Sequence, residues 1–217
     1  MGGEDLGVNR ERRIRNLKRL EKRVARCNRC RELRDSCRRP SYGVGSVEPD
    51  IVVVFAAANI FNQDRGNLRQ LAEILHPVLD VEAQAYYTFL VRCRPRLCPV
   101  KEERDRWFKG CCIDENGLCI LSSQPCNGSP REPSIHEILN CLYFTVEEIA
   151  ALEPLWVVTV GNSVARAVLH AFGIFTYHIK EQDLFVRVFE SSEYRFICLP
   201  DFDDIEQCRK IMTGFEL

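Results

Sequence analysis

The sequence has no run of about 18 apolar residues, and no apolar stretch follows Met1. The first absence excludes a membrane-spanning helix and the second a secretory signal, so the chain is expected to be soluble and cytoplasmic, with no membrane partner. Histidine is scarce. The four copies, His76, His136, His170 and His178, have no neighbours at metal-binding spacing, and His76 and His170 read as residues at helix ends. Net charge is almost absent, at −1 over 217 residues, but that figure conceals an imbalance. Residues 10–39 hold fourteen Arg or Lys against four acidic residues, a local net of +10, which leaves the rest near −11. A basic block on a near-neutral chain points to a phosphate-bearing partner such as DNA. The alternative is a solvated helix whose arginines pair with acidic residues elsewhere, since a charge count gives a footprint without specificity.

Cysteine is abundant, with twelve copies. In a chain expected to be intracellular, metal ligation is a better reading of that count than a disulfide framework. Cys27 and Cys30, two residues apart, put two thiols on one tight turn. Alone such a pair is redox-active, zinc-binding or incidental. Cys93 and Cys141 offer a second half far downstream. Four thiolates gathered from distant parts of one chain suit an all-cysteine iron–sulfur cluster or an all-cysteine zinc site. Either would clamp the N-terminal segment onto the body of the fold.

Residues 1–9 contain three glycines and read as a disordered tail, followed by one domain over 10–217. Ile14, Leu17, Leu20 and Val24 recur at helical spacing, with Lys18, Arg19, Lys22 and Arg23 on the other faces. Ile51 to Phe55 is a continuous apolar run, expected as a buried parallel strand. Leu68, Leu71, Ile74 and Leu75 predict a helix stopped by Pro77, and 85–91 a second strand delivering Cys93. Periodicity is lost over 96–130, where Cys98, Cys111, Cys112, Cys119 and Cys126 crowd among glycines and prolines. This looks like an insertion. A second metal site there is one expectation, although the spacings follow no standard ligand pattern; a surface excursion with ordinary thiols is the other.

Ser134 and Glu137 have capping-box spacing at the head of a helix running to about Leu152. Strands are expected at 155–160, 185–189 and 194–199, with helices from 161 to about 172 and from 203 to 212. Alternating strands and helices predict a three-layer α/β/α sandwich with a mostly parallel sheet. Ligands in such sheets sit at the C-terminal strand ends, here 56–66, 92–95, 161–163 and 199–202.

At these residues the chain resembles the iron–sulfur type of uracil-DNA glycosylase, a DNA repair family. Cys27-x-x-Cys30-x-x-Leu33 after an opening helix, then Gly43-x-Gly45 before the first strand, follows that family's N-terminal half. Arg92-Cys93-Arg94-Pro95 is similar to its KCRP motif. Arg131-x-Pro133-x-x-x-Glu137-x-x-x-Cys141 matches its R-x-P-x-x-x-E-x-x-x-C pattern. The step from Cys141 to Gly161, and Gly161-x-x-x-Ala165, are similar too. The likeness covers nearly the whole chain outside 96–130. It implies a uracil-DNA glycosylase-like fold and a 4Fe-4S cluster on Cys27, Cys30, Cys93 and Cys141.

The departures fall on the chemistry. Removing uracil needs a flipped base held by an amide, a ring stacked on it and polar groups at the glycosidic bond. The family's G-E-A-P-G acid aligns with Ala56, its E-D pair with Asn62-Gln63, and its stacking-Phe segment is missing before Gly66. Its uracil-reading Asn aligns with Phe89, and its T-x-H-P histidine with Leu199. An alanine cannot orient water, and a leucine cannot stabilise a departing uracil anion. The resemblance therefore implies a cluster-bearing module without uracil excision that binds nucleic acid or a protein partner, with Lys18, Arg19, Lys22, Arg23, Arg94 and Arg131 along phosphates. Supporting an anionic cluster from behind its ligands is the competing role for Arg92 and Arg94, which flank Cys93. The alternative function is a glycosylase with a rebuilt pocket acting on uracil or another damaged base. Asn59, Asn62 and Asp64 are then the polar candidates near the first strand end, with Asn59 and Asp64 the ones to act, although an Asp at a helix entry is more often a cap.

Overall fold

The computed structural model describes residues 3–30, 33, 40–79, 84–97, 123, 129–185, 187–201, 209, 210 and 212. Ile51 to Phe55 is buried at every position, and it becomes β2 (Ile51–Ala57), the strand around which a six-stranded sheet is built. Its partners are β3 (Ala85–Val91) and β6 (Trp156–Val160), both parallel, and β8 (Arg195–Leu199) continues the parallel set beside β6. Short antiparallel strands, β1 (Val44–Gly45) and β7 (Val188–Glu190), finish the two edges. The spatial order is β1-β3-β2-β6-β8-β7. The chain steps from β2 to β3 on one side, then crosses back to β6 on the other, so the order reverses between β2 and β6.

Side chains alternate across the pleat, and the two sheet faces bury separate cores. On one face Val52, Val54, Leu90, Val157 and Phe196 meet the helices α1 (Gly3–Ala25), α4 (Ile135–Leu152) and α5 (Asn162–Ala171). On the other Ile51, Val53, Phe55, Phe89, Val158 and Leu199 meet α3 (Arg65–Leu79). Helices on both faces of a mostly parallel sheet make the expected α/β/α layering. Short α2 (Ile60–Gln63) leads into α3, and α6 (Glu181–Leu184) into β7.

The apolar stripe of α1 buries Leu17, Leu20 and Val24 against α4 and the sheet. Burying each is worth roughly 1.5–3 kcal/mol. The exposed pairs from Arg12 and Arg13 to Glu153 and from Arg23 to Glu147 are worth at most about 1 kcal/mol each. Apolar contact therefore holds the helix, and the ion pairs set its register along α4.

Three boundaries differ from expectation. Helix α1 already begins at Gly3, inside the stretch read as a tail. A glycine costs a helix only about 1 kcal/mol, so Gly3 and Gly7 do not stop one anchored downstream. Helix α3 continues through Pro77 to Leu79. So near its C-terminal end, the one ladder bond that a proline removes supports little further helix. The strand expected at 185–189 is shortened to Val188–Glu190, because Phe185 closes α6 in a helical conformation and is buried. The helix expected over 203–212 lies mostly outside the described residues; Arg209, Lys210 and Met212 are helical.

The ends of the 96–130 stretch are tied together. β4 (Arg96–Leu97) pairs antiparallel with β5 (Ser129–Pro130), and the Arg131 N–H donates to the Pro95 carbonyl at 3.1 Å. The chain therefore leaves and rejoins the domain at one point. The five cysteines between, with the second metal site expected there, lie outside the described residues. Among the described residues, no helix is long and apolar enough to cross a membrane.

Candidate metal centre and the neighbouring cleft

The residues that set up the cysteine site begin at the head of α4. Ser134 caps it, accepting from the Glu137 N–H, while the Glu137 carboxylate accepts from the Ser134 N–H, so the expected capping box forms. Arg131 grips both Glu137 oxygens, at 2.8 and 2.5 Å. Burial pushes the Glu137 carboxyl up, but the hydrogen bonds from Arg131 and Ser134 outweigh it and hold it below its ordinary value. This lock fixes the first turn, and the next turn presents Asn140 and Cys141.

Cys141 is buried and faces the end of β3, where its thiol takes a hydrogen bond from the Arg92 backbone N–H. Cys93 is the next residue. From the other side, the turn after α1 brings up Cys27 and Cys30, with the Cys27 N–H bonded back to the Val24 carbonyl at 3.1 Å. The Asn140 amide donates to the Cys30 sulfur at 3.5 Å, and the Arg29 guanidinium stands 4.2 Å from the Tyr143 ring centroid, clasping the turn onto α4. Burial raises the pKa of Cys30 and of Cys141. Charge on Cys27 raises both further, and Cys141 also feels Cys30. Cys27, Cys30 and Cys141 are thus electrostatic neighbours, with Cys93 one peptide from the Cys141 thiol. None of the four is in a disulfide. Among the described residues no three His, Cys, Asp or Glu side chains converge closely enough to hold a metal ion. The donor chemistry nevertheless suits an all-thiolate group. Charge on a neighbouring cysteine opposes ionisation of Cys30 and of Cys141, an opposition that a cationic centre would reverse.

Beneath the site lies a buried charge network that sequence reasoning missed. Arg92 and Glu148, 3% and 4% exposed, pair at 2.5 Å. Tyr86 donates to Glu148 at 2.9 Å and Thr88 at 2.5 Å, so β3 supplies two donors and Arg92, the residue after it, a third to one carboxylate of α4. Arg92 Nε is buried with no hydrogen-bond partner.

The residues proposed for nucleic acid divide. Lys18, Arg19 and Lys22 are exposed and make no ion pair among the described residues; Arg26, one turn on, is the same. Arg23 pairs with Glu147 at 2.6 Å and lies over Tyr143. Arg94 reaches Ser41 at 3.4 Å, and Arg131 is committed to Glu137. The two polar candidates for a rebuilt pocket are helix caps. Asp64 accepts from the Asn67 N–H at 3.0 Å, and Asn59 and Asn62 exchange side-chain to backbone bonds at 2.8 and 2.7 Å.

At the C-terminal ends of β2 and β6, where the strand order reverses, is a cleft of about 190 Å³. Ala56 lines it, with Asn162 and Ser163 at the head of α5 and the carboxylates of Glu132, Glu181 and Asp201. Gly161 turns β6 into α5 at φ +98°, and a Cβ there would lie 2.6 Å from Asp201 Oδ1, so only glycine fits beside that carboxylate. Phe89 and Leu199, the other two replaced positions, are core residues packed on the α3 side of the sheet. The cleft was foreshadowed by the strand ends at 56–66, 161–163 and 199–202, although Asp201 itself was not singled out. Compared with protein-family models and with curated proteins, the chain matches none.

Proposed function

We propose that this chain is a 4Fe-4S-binding module, built like the iron–sulfur uracil-DNA glycosylases and turned from excision to binding DNA through its phosphates. One observation carries the reading: Cys27, Cys30 and Cys141 are electrostatic neighbours at the seam of α1 and α4, with Cys93 beside them. When bound, the cluster supplies iron–thiolate bonds tying three distant segments together. The exposed Lys18 and Lys22 lie one turn apart on one face of α1, and the exposed Arg26 follows just past its end, which suits a run of phosphates. Support for loss of excision comes from Ala56 in the cleft and from Phe89 and Leu199 in the core, which stand at the positions that align with the family's acid, amide and imidazole. Losing one such group commonly costs on the order of 100-fold in rate, and groups acting as a unit are not additive.

The test pairs iron and sulfide analysis of anaerobically purified protein with two assays on the same preparation. Brown protein that binds undamaged DNA and forms no abasic sites in uracil-containing strands is the expected result. Colourless protein containing zinc points to a four-cysteine zinc site. Asp201 favours the second reading, a rebuilt glycosylase pocket, because it brings a carboxylate to the cleft beside Ala56. Abasic-site formation that disappears in Asp201→Asn would establish that reading in place of the first.

A further inference from the structure

From Pro154 to Lys180 the sequence has no aspartate or glutamate, although the whole chain holds 31. Beyond the buried strand β6, that stretch consists of α5 and the segment following it, residues 172–180. The segment is braced against α5. Thr176 is fully buried, and its N–H donates to the His170 ring at 3.0 Å. The Arg166 guanidinium donates to the carbonyls of Thr176 at 2.6 Å and Ile179 at 2.9 Å, and its Nε–H to the Asn162 side chain at 2.9 Å. Asn162 donates in turn to Glu181, which lines the cleft. Residues 176–181 are thereby laid back along α5, from His170 past Arg166 to Asn162, and lead to the cleft. On this backbone two rings face outward, Tyr177 at 81% and Phe175 at 61% exposure, although aromatic side chains usually bury most of their surface. Phe175 leans on the His170 ring at 5.7 Å, and Tyr177 meets His178 edge to face at 5.4 Å. Lys180 follows, exposed and without an ion pair among the described residues.

We propose that residues 175–180 form a stacking platform for unpaired bases of single-stranded DNA, with Tyr177 and Phe175 as the ring surfaces and Lys180 beside them for a phosphate. This deepens the DNA-binding reading above and rests on it, but it uses none of the cysteines and none of α1. Three features favour bases over a protein partner. Every base has a flat face to lay on a ring, and rings on a braced backbone lose little freedom when one arrives. A surface without carboxylates does not repel the phosphates that come with the bases, and the first acid after it, Glu181, is engaged by Asn162. The exposed apolar groups are two rings with His178 and Lys180 beside them, not the contiguous patch that a protein interface buries at its centre.

The test compares two labelled strands of equal length and charge by fluorescence anisotropy: a thymidine homopolymer and the same sugar–phosphate chain without bases. Wild-type protein should bind the base-bearing strand more tightly. Tyr177→Ala should weaken that strand roughly 5- to 150-fold, the factor to which about 1–3 kcal/mol of stacking per base corresponds. It should leave the abasic strand unchanged, and the slope of log affinity against log salt should stay that of wild type, since no phosphate contact is lost. Tyr177→Phe keeps the ring and should bind as wild type does; a loss equal to that of Tyr177→Ala would overturn stacking as the contact. Wild-type protein that binds both strands equally, or Tyr177→Ala that keeps full affinity, overturns the platform, leaves the phosphate contacts of α1 standing and assigns the rings to a protein partner. Wild-type protein that binds neither strand overturns the DNA-binding reading, and this inference with it.

Discussion

Single side chains decide the cysteine site, and single substitutions test it. Cys27→Ala, Cys30→Ala, Cys93→Ala or Cys141→Ala should each strip colour and iron, whereas Cys198→Ala should leave both. Cys198 is also buried, its thiol pushed up to about 12 by burial, but it lies on β8 opposite Thr159 of β6, and none of the other four appears among the causes of its shift. Loss of the cluster in Cys111→Ala or Cys112→Ala, with Cys141→Ala retaining it, would reassign the ligands. Glu137 gives a pH prediction. Its folded pKa is depressed, so its stabilisation is complete above the unfolded carboxyl range of about 4.3 and is lost as pH falls through the folded value. Thermal midpoints measured from pH 7 down to 3 should fall less steeply in Glu137→Gln than in wild type. The Ser134–Glu137 box was legible because its four residues are contiguous. Glu148 was not: in the sequence it is one more acid on a helix, and only the convergence of Tyr86 and Thr88 from β3 with Arg92 just after it makes it a buried counter-charge. Asp64 and Asn59 looked available as catalytic groups, and both spend their side chains on helix entries.

At the scale of elements, α1 has two faces, one that packs on the body and one that is basic and exposed. Its apolar stripe at 17, 20 and 24 was readable from spacing alone and is buried as expected. The fate of its basic residues was not readable, because pairing depends on where α4 lies. Arg12, Arg13 and Arg23 are drawn to Glu153 and Glu147, while Lys18, Arg19 and Lys22 stay in solvent. Reversing the charge of those three should weaken DNA binding and reduce the slope of log affinity against log salt by roughly 0.7–0.9 for each phosphate no longer neutralised. Equal affinity and slope in the triple variant, measured by fluorescence anisotropy, would leave α1 a solvated face. Element ends were harder to read than element centres. Pro77 did not end α3, because so near the C-terminal end little helix depends on the lost ladder bond, and Phe185 caps α6 and is buried instead of starting a strand.

For the whole molecule, the alternation of apolar strands with amphipathic helices was enough to predict a parallel sheet covered on both faces. Strand order was beyond the sequence, and so was the cleft it creates: Asp201 meets Gly161 only because β6 and β8 are neighbours. The paired ends of the 96–130 stretch give a further expectation. Leu97 and Ser129 are partners across a ladder, so replacing 98–128 by a two-residue hairpin turn should close it directly. The thermal midpoint should move by no more than about 4 °C, the change that 1 kcal/mol makes in a domain of this size. A larger fall would mean that the replaced residues stabilise the domain itself. The packing of α1 on α4 also has a consequence in time. During synthesis α1 is complete once Ala25 has been made, yet its main helical partner ends at Leu152. At about 5–20 residues per second that interval is roughly 6–25 s. For that long Leu17, Leu20 and Val24 lack the part of their cover that α4 supplies, and Cys27 and Cys30 are without Cys141. The nascent chain therefore carries a basic helix with an incompletely covered apolar stripe until α4 is made, and on the cluster proposal loading would wait for a segment made more than a hundred residues later.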